Sequence, residues 1–344
     1  MTTLHKIHFA DARNLSMIDE GSVDLFVTSP PYPMIQMWDK VFSLMNPEIE
    51  KSLSDGRGIA AFEMMHTELD KVWRELDRVT KDSAFICINI GDATRSFSGE
   101  FALYSNHSRI INAFMKLGFT SLPLILWRKQ TNAPNKFMGS GMLGAGAYVT
   151  LEHEYILIFR KGARRVFRDS AAKKRRRESA FFWEERNQWF SDIWDFKGTR
   201  QKLLRADLRE RSAAFPFELP WRLVNMYSVE EDTVLDPFAG TGTSLHAAAA
   251  CGRNSIGVET DKNFGGLIFG DPLGLKTEFN KITERRIKTH NEFIESFVMR
   301  GGSVKYINKR HGFPVVTRQE IEIRLKKIDS ITRDDTVRVS YNIT

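Results

Sequence analysis

Two short segments of the sequence carry residue types that could bind a ligand and transform it. The first is TSPPY at residues 28–32, which directly follows the apolar run VDLFV. Two consecutive prolines fix the backbone, remove two N–H donors and cannot extend a strand ladder. The Ser29 hydroxyl and the Pro30 carbonyl therefore project from the strand end as a rigid pair of acceptors, followed by Pro31 and the aromatic ring of Tyr32.

Such a platform suits the chemistry of an exocyclic base amine. The amine is a poor nucleophile because its lone pair is delocalised into the ring. A catalyst must accept hydrogen bonds from the NH₂ group and turn the lone pair toward an electrophile. Ser29 and the Pro30 carbonyl could accept those bonds, and Tyr32 could stack on the base. A Ser-Pro-Pro-Tyr sequence alone is usually only a turn, so the assignment depends on a second motif.

The second segment is VLDPFAGTGTS at residues 234–244, an apolar strand pattern that runs into a glycine-rich turn and an alanine-rich helix. Gly240 and Gly242 would let the backbone approach a ligand at the carboxyl edge of a sheet. A Walker loop would need a lysine after the last glycine, but Thr243 follows Gly242. A dinucleotide fingerprint would need a third glycine where Leu245 stands.

Two acidic residues near this turn indicate what the ligand carries. Asp236 stands just before the turn, where it would repel a pyrophosphate and attract a cationic amino group. Glu259 lies 19 residues after Gly240, at the end of the next predicted strand, where it could accept hydrogen bonds from ribose hydroxyls. These residues predict a ligand that combines an adenosine with an amino acid.

The elements that must position both motifs follow from hydrophobic periodicity. Short apolar runs bounded by polar or turn residues predict strands at 6–11, 23–29, 83–91, 122–129, 154–161, 233–238 and 254–260. Amphipathic or alanine-rich patterns predict helices at 66–80, 108–118, 216–228 and 244–252. Strands that alternate with helices predict a mostly parallel α/β sheet.

Charge is concentrated in one stretch. The chain has a formal net charge of +7, and residues 160–177 hold ten Lys or Arg residues against one Asp. A basic stripe on a nearly neutral body is typical of a polyanion binder, with nucleic acid as the first candidate and an anionic membrane surface as the second. The predicted phosphate contacts are Arg164, Arg165, Arg168, Lys173, Lys174, Arg175, Arg176 and Arg177.

Composition and cysteine usage exclude several classes. With 42% hydrophobic and 27% charged residues, the chain is ordinary globular material. No apolar run approaches the roughly 20 residues that cross a bilayer, and the first residues lack the apolar core of a signal peptide, which predicts a cytoplasmic protein. Cys87 and Cys251 each lie in an apolar stretch, so we expect reduced core thiols and no metal site.

Together, TSPPY and DPFAGTGT resemble the S-adenosylmethionine-dependent DNA amino-methyltransferases. Their order, catalytic motif first and cofactor motif second, is similar to the circularly permuted β group of that family. The resemblance implies a catalytic tetrapeptide of Ser29, Pro30, Pro31 and Tyr32. It implies an adenine contact for Asp11, a ribose contact for Glu259 and a helix at 213–224 that covers the methionine end. The implied cofactor-binding residues are Asp11, Phe215, Pro216, Asp236, Phe238, Gly240, Thr241, Gly242, Thr243 and Glu259.

The resemblance also implies an architecture. We expect a doubly wound, mostly parallel, seven-stranded methyltransferase sheet of permuted order with an inserted target-recognition module. The expected divisions are a catalytic half at 1–160, a basic and aromatic module at 161–210, a cofactor-binding half at 211–290 and an extension of unknown role at 291–344. In the module, Trp183, Trp189 and Trp194 are expected to form a small core rather than stacking platforms.

The implied reaction is methyl transfer from S-adenosylmethionine to an exocyclic amine of a base flipped out of double-stranded DNA. Serine at the first catalytic position is typical of cytosine-N4 enzymes, and the implied functional partner is a restriction endonuclease. Adenine-N6 methylation of DNA or RNA and a non-catalytic DNA-binding regulator remain alternatives. A carbon-5 cytosine enzyme is disfavoured because neither cysteine lies in a Pro-Cys loop.

Overall fold

The computed structural model describes residues 1–97, 99–129, 138–197 and 215–343. Its strands are β1 (Thr2–Phe9), β2 (Val23–Thr28), β3 (Thr80–Ile90), β4 (Ala93–Phe97), β5 (Glu100–Tyr104), β6 (Thr120–Arg128), β7 (Met138–Gly139), β8 (Ala147–Tyr148), β9 (His153–Arg160), β10 (Ile193–Asp195), β11 (Thr233–Asp236), β12 (Asn254–Glu259), β13 (Tyr306–Ile307), β14 (Pro314–Val315), β15 (Lys326–Arg333) and β16 (Val337–Ile343).

The α-helices of the described residues are α1 (Asp39–Met45), α2 (Glu48–Ser54), α3 (Gly58–Val79), α4 (Asn106–Lys116), α5 (Ser170–Glu178), α6 (Trp183–Trp189), α7 (Glu218–Tyr227), α8 (Thr243–Ala250) and α9 (Pro272–Met299). Each of the four predicted helices is present within a few residues of its predicted bounds, except that α3 begins eight residues earlier, at Gly58.

A ten-stranded sheet forms the centre of the molecule, in the order β10-β6-β9-β3-β2-β11-β12-β1-β16-β15. Neighbouring strands from β3 to β1 are parallel, whereas β9 is antiparallel to both β3 and β6, and β16 is antiparallel to β1. All seven predicted strands belong to this sheet, which confirms the expected mostly parallel α/β architecture. The predicted number of strands is corrected, since β10, β15 and β16 also join it.

The central strands are apolar because both faces of the sheet are covered. Every residue of β2 is buried, and its side chains alternate between two core clusters: Leu25 and Val27 pack in one, Phe26 in the other. On one face, α3 supplies an apolar stripe that includes Leu69, Val72 and Leu76. The two motifs therefore follow strands that are held rigidly at the middle of the sheet.

The predicted module at 161–210 is not a separate body in its described part. Its strand β10 pairs in parallel with β6 and forms an edge of the main sheet. Trp189 and Trp194 are buried in the core cluster on the β10 side, as expected for core residues, whereas Trp183 is 37% exposed. Residues 198–214, which contain the predicted boundary at 210, lie outside the described residues.

The predicted extension at 291–344 is also part of the main body. The hairpin of β15 and β16 continues the sheet beside β1, and α9 crosses the predicted boundary at 290. Phe313 and Val315 pack against Phe182 of the predicted module. In β16, which lies between β1 and β15, the alternating residues Val337, Val339 and Tyr341 are buried in a core cluster.

Both cysteines are free thiols, and burial raises the pKa of each. In the described part of the chain, no helix combines the length and apolar character that crossing a bilayer requires. Among the same residues, no group of three or more His, Cys, Asp or Glu side chains is arranged to hold a metal ion.

Candidate active site

A large cavity lies where four neighbouring parallel strands end. The strands β2, β11, β12 and β1 are consecutive in the sheet, so their carboxyl ends meet at one edge. The cavity has a volume of about 590 Å³, and small-molecule sites typically measure roughly 300–1,000 Å³. The predicted residues in its wall are Asp11, Ser29, Pro30, Pro31, Phe215, Asp236, Phe238, Gly240, Thr241, Thr243 and Glu259. The fold thus brings the two motifs, which are distant in sequence, into one cavity.

The glycine turn connects β11 to α8. Gly240 and Gly242 have φ values of +50° and +81°, which side-chain-bearing residues rarely adopt. A Cβ at Gly242 would lie 2.7 Å from Ile268 Cγ2, so this position also needs glycine for space. Gly242 and Pro216 do not line the cavity; Gly242 shapes the turn and Pro216 is buried beside Phe215 in the chain.

Glu259 holds the turn in place. Its carboxylate accepts hydrogen bonds from the backbone N–H groups of Gly240, at 2.8 Å, and Asp261, at 2.9 Å. Thr260 Oγ1 also donates to Oε1, at 3.3 Å, whereas Oε2 has a second lone pair with which it can still accept from a ligand. The residue therefore combines a structural task with a place in the cavity wall.

Asp236 joins the two motifs directly. Its Oδ1 accepts from Thr28 Oγ1 at 2.7 Å and from the Phe238 N–H at 3.1 Å, and its Oδ2 accepts from Ser244 Oγ at 2.7 Å. Burial raises the pKa of this carboxyl to about 6, although the three hydrogen bonds favour the ionised form. The end of the catalytic strand is thereby tied to the turn and to the first turn of α8.

Asp11 lies in the cavity wall within a chain of charges. The side chain of Arg13 donates to Asp11 Oδ2 at 2.7 Å and to Glu68 Oε2 at 2.6 Å. Partial burial alone would raise the pKa of Asp11, but the hydrogen bonds and charge of Arg13 bring it below its ordinary value. Asp11 thus stays ionised. Glu68 comes from α3, a contribution that local sequence patterns did not indicate.

The acceptor platform is present, but Tyr32 takes an unexpected position. Ser29, Pro30 and Pro31 line the cavity, whereas Tyr32 does not. Its ring packs beside Gly91, where a Cβ would lie 3.1 Å from Tyr32 Cε2. Its hydroxyl accepts a hydrogen bond from Ser29 Oγ at 3.1 Å. The Tyr32 residue is only partly buried, and its predicted stacking on a base stays a prediction.

A second aromatic residue, Trp38, lies in the cavity wall. Trp38 lines the cavity together with apolar residues of α1 such as Val41 and Leu44. The adjacent Asp39 forms an ion pair with Arg95 of β4 at 2.8 Å, which anchors this segment. Trp38 therefore lies in the cavity wall on a segment that the ion pair of Asp39 anchors.

The predicted phosphate contacts do not lie at this edge. Because β9 runs antiparallel to β3, with Arg160 opposite Phe85, the chain leaves β9 at the amino edge of the parallel strands. Arg165 pairs there with Asp232 at 2.6 Å. The structure therefore does not bring the basic stretch to the cavity.

Other residues of that stretch also have intramolecular partners. Arg175 pairs with Glu231, Arg177 pairs with Glu322, and Arg176 lies over the Phe167 ring. The remaining predicted contacts are exposed: Arg164, Arg168, Lys173 and Lys174. Part of the local charge surplus is thus compensated within the chain.

Comparisons with known proteins agree with this geometry. A family model described as DNA methylase matches residues 23–269. The Type II methyltransferase M.MthZI of Methanothermobacter thermautotrophicus is 52% identical over 330 residues, which cover 94% of this chain and 91% of that protein. The Type II methyltransferase M.MjaI of Methanocaldococcus jannaschii is 47% identical over 287 residues, which cover 80% and 93%.

Among solved structures, similarity extends to a Thermus thermophilus protein that was crystallised with S-adenosyl-L-methionine and provisionally assigned as a DNA modification methylase. It is 32% identical, with a TM-score of 0.60 over 80% of this chain and 93% of that chain. The range matched by the family model includes TSPPY and the glycine turn and begins after Asp11.

Proposed function

Because the chain belongs to the N6/N4 DNA methylase family, we propose that it methylates the exocyclic N4 amine of cytosine in duplex DNA. Methyl transfer to DNA from S-adenosylmethionine is the activity of this family, and the chain shares it. One observation carries the finer assignment: Ser29, at the first position of the catalytic tetrapeptide, lies in the same cavity as the glycine turn and Glu259.

The cofactor is S-adenosylmethionine, as the sequence predicts, and the cavity residues fit it. When bound, it supplies a methyl group on a positively charged sulfur. Glu259 offers lone pairs to ribose hydroxyls, and the backbone at Gly240 leaves room for close approach. Asp236, when ionised, attracts the cationic amino group. Asp11 and Phe215 line the same cavity. We assign the adenine contact to Asp11 and the methionine end to the segment of Phe215, as the resemblance implies.

The acceptor platform performs the remaining chemistry. Ser29 Oγ and the Pro30 carbonyl accept hydrogen bonds from the two N–H groups of the target amine, so that the nitrogen becomes pyramidal and its lone pair is no longer delocalised into the ring. Pro30 and Pro31 have no backbone N–H, so no main-chain donor at these two positions competes with the amine for the acceptors. Catalysis follows from holding acceptors in place before the reaction.

The substrate base reaches Ser29 only outside the double helix, because the platform lies inside a cavity. Tyr32 is the residue assigned to stack on the base, and Trp38, which lies in the cavity wall, offers a second aromatic side chain beside it. The exposed cations of the amino edge, such as Lys173 and Lys174, attract DNA through their long-range field rather than through contacts at the target base. The similarity to Type II methyltransferases supports functional pairing with a restriction endonuclease.

Sequencing the DNA of a host that expresses the protein, with both amine modifications recorded, tests this proposal. We expect N4-methylcytosine at one short recurrent sequence, and no such mark in a host that expresses Ser29→Ala. N6-methyladenine at a recurrent sequence would replace the cytosine assignment while leaving the amine chemistry in place.

A further inference from the structure

Ser29 is the first member of a hydrogen-bonded chain that leads away from the cavity. Ser29 Oγ donates to Tyr32 Oη at 3.1 Å, and Tyr32 Oη donates to Glu154 Oε2 at 3.0 Å. Asn89 Nδ2 donates to both Tyr32 Oη, at 2.8 Å, and Glu154 Oε2, at 2.6 Å. Lys129 forms an ion pair with Glu154 Oε1. The chain ends on a carboxylate whose charge is compensated.

The sheet assembles this chain from four strands. Tyr32 follows β2, Asn89 lies near the end of β3, and Glu154 near the start of the antiparallel strand β9, so all three reach the carboxyl edge. Lys129 follows β6, whose Trp127 lies opposite Glu154 in the register. Rigid neighbouring strands therefore hold each member of the chain.

Glu154, the acceptor at the end of this hydrogen-bonded chain, determines which atom donates in each of its hydrogen bonds. An ionised carboxylate can only accept, so the Tyr32 hydroxyl must donate to Glu154. Tyr32 Oη in turn accepts the hydrogen bond of the Ser29 hydroxyl. Both lone pairs of Ser29 Oγ therefore remain free to accept from the target amine. Asn89 supports this order, since its NH₂ group can only donate. Burial and the charge of Glu154 raise the pKa of Tyr32, so the phenol stays protonated.

We propose that Glu154 is a positioning residue and the final proton acceptor of methyl transfer, acting through Tyr32 and Ser29. This inference rests on the proposed amine methylation. As the new N–C bond forms, the methyl carbon leaves sulfur with the bonding electrons remaining on sulfur, and the amine nitrogen gains a positive charge. The nitrogen then loses a proton to Ser29 Oγ, the Ser29 proton moves to Tyr32 Oη, and the Tyr32 proton moves to Glu154, which becomes neutral.

Glu154 can pass this proton on. Its side chain is 13% exposed, and that of Lys129 is 41% exposed, so the far end of the chain meets water although Tyr32 does not line the cavity. Among the described residues, the titratable or charged groups in contact with Glu154 are Lys129 from β6 and Tyr32 after β2, with the neutral Asn89 from β3. Within the described ranges, the carboxylate thus has one positive neighbour and no contact with a second acid.

The test is single-turnover methylation of duplex DNA at saturating S-adenosylmethionine. Glu154→Gln keeps the size of the side chain and removes its charge, and Tyr32→Phe keeps the ring and removes the hydroxyl. We expect each to slow the reaction by about 10²-fold, the low end for a general acid–base group, with unchanged affinity for DNA and cofactor. The double variant should be no slower than either single variant, because both interrupt the same chain.

A further readout separates this role from simple packing. In protein labelled with ¹³C at tyrosine Cζ, the resonance that Tyr32→Phe removes should shift in Glu154→Gln without any ligand present. Asp195→Asn is the matched control, since Asp195 is an acid of the edge strand β10 that pairs with Arg128 and does not belong to the proton chain.

An unchanged rate in Glu154→Gln, an unshifted Tyr32 resonance in that variant, or a double variant whose loss is the product of the single losses would overturn the proton chain. If Ser29→Ala alone abolishes methylation while both chain variants keep full rates, the proposed function stands and the chain does not. If the wild type produces no methylated amine, the proposed function fails first.

Discussion

Glu259 tests the cofactor site because its side chain both holds the glycine turn and lies in the cavity wall. Its carboxylate accepts the Gly240 N–H at 2.8 Å and the Asp261 N–H at 2.9 Å. A hydrogen bond to a charged group contributes about 1.5–3 kcal/mol. In Glu259→Ala, water can enter the cavity and solvate these two N–H groups. The expected loss is therefore that of one hydrogen bond between Glu259 and the cofactor. The expected loss of cofactor affinity is then about 10- to 100-fold.

Calorimetric titration with S-adenosylmethionine measures this loss directly. The matched control is Glu284→Ala, because Glu284 is an exposed acid of α9 that pairs with Lys327 at 2.6 Å and does not line the cavity. The control should bind like the wild type. Equal affinities of Glu259→Ala and the wild type would refute the assignment of this residue to the cofactor site.

The same geometry makes three further predictions. Ser29→Ala should keep cofactor and DNA affinity while single-turnover methylation slows about 10²- to 10³-fold, the usual loss for one preorganised polar group, and full activity would contradict its role. Since burial raises the pKa of Asp236 to about 6 and only its ionised form attracts the ammonium group, calorimetry should show cofactor affinity falling as pH drops below 6. The fall should reach about tenfold per pH unit, and a pH-independent affinity would argue against the contact. Stopped-flow association should show that replacing Lys173 and Lys174 with Ala slows DNA binding at low salt but not methylation of bound DNA, and an equal loss in both would place these lysines at the target base.

Local sequence patterns were sufficient to predict those parts of the site that directly follow a single strand. TSPPY and the glycine turn each follow a buried apolar strand, and parallel strands must end at the same edge, so their meeting in one cavity was predictable. The glycines at 240 and 242 were predictable for the same reason, since the turn needs φ values that other residues rarely adopt.

Strand direction, by contrast, cannot be read from a short apolar run. The pattern at 154–161 predicts a strand but not that it runs antiparallel to β3. That single reversal carries the basic stretch after residue 160 to the amino edge and brings Glu154 to the carboxyl edge beside Tyr32. The position of the basic stretch and the contact between Tyr32 and Glu154 both follow from it.

Long-range partners were also beyond local reasoning. Arg13 bridges Asp11 to Glu68 of α3, and Asp236 receives hydrogen bonds from Thr28 and Ser244. Nothing in the spacing of these residues marks them as neighbours, because they meet only after the sheet and its covering helices have formed. They explain how the site is held, whereas the motifs explain what it can do.

The chemistry and the target base are tested most directly by the product. Purified protein, duplex DNA and S-adenosylmethionine with a trideuterated methyl group should give, after digestion to nucleosides and mass spectrometry, N4-methylcytosine that carries the deuterium label. Labelled 5-methylcytosine would contradict transfer to an exocyclic amine altogether. Labelled N6-methyladenine would contradict the choice of cytosine.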